Sequence, residues 1–174
     1  MEEKKYILTG ETKEHFGHTL YRIEAVKDFP GVKKGDKGGW IEREENLSHE
    51  GNAWVCGNAR VYGNAWVCDD ARVCGDAKVC SNARVYGYAR VCGDAEVSGN
   101  AKIESDKDYI VFKNWWSSGR SFTWTRSNNM WNVGCFHGTG EELIAKAHND
   151  SPENGREYER VVRYVESILK DENK

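Results

Sequence analysis

The chain has 174 residues with 25 basic and 28 acidic side chains and a formal net charge of −3. That length suits one domain or a small core with appended caps. The balanced charge excludes bulk attraction to nucleic acid or to an anionic membrane, which needs a basic surface. No apolar run approaches the roughly 18 residues of a membrane-spanning helix. Met1-Glu-Glu-Lys-Lys is followed by no signal-like apolar stretch, so the expected location is the cytoplasm of a bacterial host cell.

Residues 1–50 read as an N-terminal β cap. Lys5–Thr9 and Thr19–Val26 alternate as two strands, joined by a polar loop containing His15 and His18. Gly31 to Gly39 is turn-rich, and Trp40-Ile41 leads onward.

Residues 51–105 are a repeat. Val or Ile recurs every six residues from Val55 to Ile103, and Ala recurs two places earlier from Ala53 to Ala101. Six fits neither a helix of period 3.6 nor a lone strand of period 2. It fits a strand of about four residues followed by a two-residue corner. The Gly-Asn and Gly-Asp pairs suit the corner because both tolerate positive φ. Three sides close a turn of 18 residues, so the repeats predict about three turns, roughly 14 Å tall at the usual strand spacing.

Stacking places Trp54, Arg72 and Arg90 in one outward column and Trp66, Arg84 and Lys102 in another, with a cation–π pair expected in each. Cys56, Cys74 and Cys92 form a low-charge strip. With Cys68 and Cys80 they occupy one repeat position as small apolar groups. No CxxC pair points to a metal.

The repeat resembles the hexapeptide-repeat family, whose left-handed parallel β-helix carries acyltransferases, carbonic-anhydrase-like enzymes and proteins of no known activity. The resemblance implies a homotrimer. The run GDKGGWIEREENLSHEGNAWV is similar to the entry segment of uncharacterised hexapeptide proteins of bacteria and their phages.

Residues 106–174 read as a C-terminal α+β domain. Tyr109–Trp116, Arg120–Arg126 and Met130–Phe136 are three expected strands. Thr139 and Glu142 form a capping box opening a helix to about His148. Ser151-Pro152 opens a second helix, with Tyr158, Val161, Val162, Val165, Ile168 and Leu169 on one stripe.

Between Tyr109 and Gly140 there is no Asp or Glu, but there are eight aromatics and three basic residues. Such a segment suits a planar anion: Arg120 and Arg126 for phosphate, Trp116 or Trp124 for stacking, Thr123 or Thr125 for hydroxyl contacts. Aromatics in such a sheet also suit a plain core against the helices. The expectation is a non-catalytic homotrimer capturing a small anionic, nucleotide-like ligand such as a bacterial immune signal, with no cofactor and no metal. Two alternatives stand beside it. One is a CoA-dependent acyltransferase with His49 or His137 as general base; the other is a structural or protein-binding trimer.

Overall fold

The computed structural model of the chain describes residues 4–172. The hexapeptides wind into a three-sided parallel β-solenoid. Its sides are β4 (Trp54–Val55), β5 (Arg60–Val61), β6 (Trp66–Val67), β7 (Arg72–Val73), β8 (Lys78–Val79), β9 (Arg84–Val85), β10 (Arg90–Val91), β11 (Glu96–Val97) and β12 (Lys102–Ile103). Each strand pairs in register with the one 18 residues on, as Trp54 with Arg72 and Arg72 with Arg90. The strands are two residues long, not four, because a corner residue in the left-handed region opens every repeat. Glycine fills that position from Gly51 to Gly99, except where Asp69 (φ 57°) and Ser81 (φ 61°) replace it. Every repeat Ala and every Val or Ile points inward and is at most 1% exposed, forming one continuous core.

The coil begins before its motif does. Ile41 stands opposite Val61 and Leu47 opposite Val67, both fully or almost fully buried. These pairings step 20 residues instead of 18, because eight residues rather than six separate Leu47 from Val55; a 3-10 turn at Glu44–Asn46 makes the corner between Ile41 and Leu47. The side carrying β5, β8 and β11 is therefore four coils deep, and the solenoid has about four turns rather than three. Asn46 is buried at this irregular corner, where its amide donates to the carbonyls of Gly63 (3.1 Å) and Ala65 (2.8 Å). It supplies the hydrogen bonds that a regular coil would have drawn from backbone.

Upstream, β1 (Tyr6–His15), β2 (His18–Ala25) and β3 (Lys37–Ile41) form an antiparallel meander that continues the same side of the coil into a six-stranded sheet. This cap buries Trp54 under Phe29 and Tyr6. The expected pairing of Trp54 with Arg72 is thereby lost: the indole is core, and the Arg72 guanidinium donates to the Pro30 carbonyl. The second column behaves as expected, with Arg84 lying 5.9 Å over the Trp66 ring.

Downstream, β13 (Tyr109–Lys113), β14 (Ser121–Thr125), β15 (Met130–Val133) and β16 (Phe136–Gly138) make a four-stranded antiparallel sheet. The expected third strand breaks at Gly134 (φ 59°) and doubles back, which adds the fourth. Helices α1 (Gly140–Asp150) and α2 (Pro152–Glu172) pack on one face of it around Phe122, Trp124 and Trp131. Thr139 caps α1 with the expected box to Glu142.

The other face closes the coil. Each lower strand donates its N–H groups to the coil above, as Arg84 does to Ala101, so the last coil has none left to meet. Side chains replace it: the Asp106 carboxylate accepts from Arg90 N (2.7 Å), the Thr123 hydroxyl from Glu96 N (2.9 Å) and the Ser127 hydroxyl from Lys102 N (2.7 Å). Each side of the triangle receives one acceptor.

Candidate functional site

The aromatic, acid-free segment is mostly interior. Trp124 is 1% exposed, and Thr123 and Thr125 are fully buried. Strand alternation explains this: Phe122 and Trp124 face the helices, while Ser121, Thr123 and Thr125 face the coil. The hydroxyls expected to meet a ligand are taken, Ser121 by Asp94 (3.2 Å), Thr123 by the coil edge and Thr125 by Asn128 (2.6 Å). Trp116 packs edge-on against Phe122 and Tyr158 in the same core. Arg126 is bound by both carboxylate oxygens of Glu172 (2.5 and 3.2 Å). Removing carboxylates from the segment did not free Arg126, because α2 brings one back.

Arg120 alone of these six lines a cavity, a cleft of about 600 Å³ between the coil and the C-terminal sheet. The floor is the outward column of Arg60, Lys78 and Glu96, stacked by the coil register. Tyr62, Cys80 and Ser98 follow one residue after the inward valines. One wall is the β1–β2 hairpin tip at Phe16, whose ring is 75% exposed; the other is Gly119–Ser121 with the Gly134–His137 turn. Lys78 is ion-paired to Glu96 on the floor. Arg60 and Arg120 have no carboxylate partner among the described residues. The rings of His15 and His18 pack on Tyr62 at 5.3 and 5.0 Å, tying the hairpin to the floor.

His137 stands at the upper edge of this cleft, above the Gly99 corner, where a side chain on residue 99 would strike its ring. Its Nδ1 lies 2.7 Å from Asn132 Oδ1 and 3.1 Å from Ser98 Oγ. The Asn132 amide is oriented by donating from Nδ2 to the Glu96 carbonyl (3.1 Å), so its Oδ1 faces the imidazole. In the neutral ring this geometry puts the proton on Nδ1 and the lone pair a general base needs on Nε2, which lies against the Gly99 corner. Ser98 and Asn132 meet the same ring nitrogen, so the three do not form a nucleophilic triad, which needs them on opposite nitrogens.

His49 lies elsewhere, at the N-terminal cap. Its ring stacks on Tyr6 (centroids 4.3 Å apart), and its Nδ1 accepts from the backbone N–H of Lys5 (3.2 Å). Burial holds its pKa below the usual histidine value. It joins the hairpin to the first coil. Among the described residues, no group of three or more His, Cys, Asp or Glu is placed to hold a metal ion, and no helix is long and apolar enough to cross a membrane.

The floor residues Arg60, Lys78 and Glu96 were within reach of sequence reasoning. The 18-residue step that assembles the two tryptophan columns assembles this one too. Asn132 and Ser98 carried no local signal, since their meeting depends on how the C-terminal sheet docks.

A family model described as YdcK beta solenoid repeat matches residues 53–69. The protein named uncharacterized acetyltransferase YdcK, from Escherichia coli (strain K12), is 50% identical over 36 residues. That stretch is 21% of this chain and 11% of the relative, so the chain matches about a tenth of that protein's length. Over residues 53–69 the coil is thus similar to the YdcK beta solenoid repeat.

Proposed function

We propose that the protein binds a small anionic ligand in the cleft between the coil and the C-terminal sheet. The observation that carries this reading is the pair Arg60 and Arg120, which line one cavity from opposite sides; Asp76, Asp94 and Glu96 line it too, but among the described residues none is within ion-pair distance of either arginine. The exposed Phe16 ring supplies apolar surface beside them, while the Ser98 hydroxyl on the floor is engaged by Asn132 and His137. A nucleotide-like ligand has the matching chemistry: a flat ring and a charged tail. Charge-assisted hydrogen bonds to arginine are worth about 1.5–3 kcal/mol each. Calorimetric titration with nucleotides and acetyl-CoA therefore tests the reading. Arg60→Ala or Arg120→Ala is expected to weaken the bound compound roughly 10- to 100-fold. Binding that is unchanged in both variants overturns the cleft as the site.

A second reading is acyl transfer, favoured by the fixed tautomer of His137 and by the name of the relative. The Nε2 of His137 would take the proton from an acceptor hydroxyl or amine. Loss of thioester turnover in His137→Gln, with ligand affinity retained, is the expected signature of that chemistry. For a simple binder no turnover is seen with either protein. Assembly into trimers through the Cys56–Cys74–Cys92 side belongs to the same proposal, and native mass measurement tests it.

A further inference from the structure

Next to the cleft, the hairpin sets two cations that neither reading above uses, Lys13 and Arg22, beside Arg60, which the cleft reading does use. Lys13 lies with its Nζ 4.2 Å from the centroid of the Trp40 ring, and the Arg22 guanidinium lies 5.2 Å from it. Arg60 is the next residue up the sheet, in register with Trp40. Charge neutralisation is thin here. Glu11 is ion-paired to Lys37 and acts on Arg22 only from further off, while the Arg22 guanidinium donates to the Gly57 carbonyl (3.4 Å). Neither Lys13 nor Arg60 has a carboxylate within ion-pair distance among the described residues; Asp76 is the acid that acts on Lys13 from further off. Four nitrogens in this one place, Arg22 Nε, Arg60 Nε, Trp40 Nε1 and His15 Nε2, are shut away from solvent without a hydrogen-bond partner.

Orphaned buried N–H donors and unneutralised cations both cost stability, and an anion that reaches them lowers both costs. The field of the group registers on its own members. Burial, with Arg60 and Arg22 beside it, holds Lys13 down to about 8, and burial with Arg60, Lys78 and Lys13 holds His15 down to about 4. Proteins keep such unfavourable clusters where function needs them.

We infer that Lys13, Arg22 and Arg60, gathered on the Trp40 indole beneath the hairpin, form an anion subsite that opens into the cleft through Arg60 and takes a phosphate group. The inference rests on the cleft reading for the remainder of the ligand, but the phosphate alone suffices to test it. The full chain is melted in chloride and in inorganic phosphate or pyrophosphate at equal ionic strength. Phosphate is expected to raise the Tm of the native protein more than chloride does. The variant carrying Lys13→Met and Arg60→Met is expected to melt higher than native in chloride, because repulsion is relieved, and to lose the phosphate response. Lys13→Arg, which keeps the charge, retains the response. Arg120→Ala retains it as well, since Arg120 sits across the cleft. A native protein indifferent to phosphate, or a response that survives in the double variant, overturns the subsite. If nucleotides fail to bind while the phosphate response holds, the cleft reading falls and the subsite stands. Should the double variant not fold, the melts of native protein, Lys13→Arg and Lys13→Met alone still decide the matter.

Discussion

Ser81 and Asp69 stand where every other corner of the repeat has glycine, and they adopt the same left-handed backbone. That conformation costs an L-residue about 1–2 kcal/mol, partly offset by the smaller entropy a side chain loses on folding. Asp69 recovers the difference, because its carboxylate accepts from Gly87 N at 2.9 Å. Ser81 contacts only the neighbouring Cys80 sulfur, at 4.0 Å. Ser81→Gly is therefore expected to stabilise by roughly 0.5 kcal/mol, and Asp69→Gly to be neutral or worse, as chemical denaturation will show. Gly51→Ala has the opposite fate. An added Cβ there collides with the Asp69 carbonyl as well as straining a φ of 64°, and soluble expression should fail. Protonation acts at the same scale. His15 has its folded pKa near 4, below the ordinary 6.5, so between those values the unfolded chain binds more protons. Its contribution is complete above pH 6.5 and is lost as the pH falls toward 4. After allowance for solvent screening of this partly buried ring, that amounts to about 1 kcal/mol. His15→Gln should flatten that part of a stability–pH curve. At this scale the repeat positions were legible because glycine, alanine and valine each answer a local steric demand. Thr123 and Thr125 were not: alternation showed that they share a face, but not that the face meets a coil edge.

Helices and strands were readable wherever their own period carried the signal. The box joining Thr139 and Glu142 opens α1 as its spacing demands, with the Glu142 carboxylate 2.8 Å from Thr139 N. Thr139→Ala should cost about 1 kcal/mol in thermal unfolding. The inward rows of the solenoid were equally plain. What escaped were elements that satisfy tertiary demands with irregular sequence. Ile41 and Leu47 extend the coil with no hexapeptide around them, and Asn46 makes the extension possible. Asn46→Ala strands the carbonyl of Ala65 in the interior and should destabilise by about 1–3 kcal/mol. The break at Gly134 created β16 where one long strand was expected, and that turn carries His137 to the cleft. The floor of the candidate site follows from counting register, and Arg120 and His137 on its wall were named from the sequence, but the meeting of His137 with Asn132 and Ser98 was not legible.

On the scale of the whole molecule, two unlike pieces are joined by side-chain acceptors. Asp106, Thr123 and Ser127 each occupy a backbone donor of the last coil, and Asn132 ties the Glu96 carbonyl to His137. The docking that ends the solenoid also builds the cleft, so stability and ligand affinity should be coupled across it. Thr123→Val removes an acceptor at nearly constant volume. It should lower both the melting temperature and the affinity of any cleft ligand, although Thr123 touches no cavity. Thermal melts and titrations on one preparation test this, and an affinity that stays put while stability drops counts against the coupling.

Those three acceptors have a further consequence. A parallel coil has no intrinsic length, and its upper rim is a template onto which another strand, from its own chain or a neighbour's, can add. By occupying the rim with side chains that cannot themselves propagate the ladder, the C-terminal segment sets the coil count. Stripping all three, as Asp106→Ala with Thr123→Val and Ser127→Ala, leaves a bare template. Such a protein should grow end to end into fibrils with the roughly 4.8 Å axial repeat of stacked strands, where the native chain stays discrete.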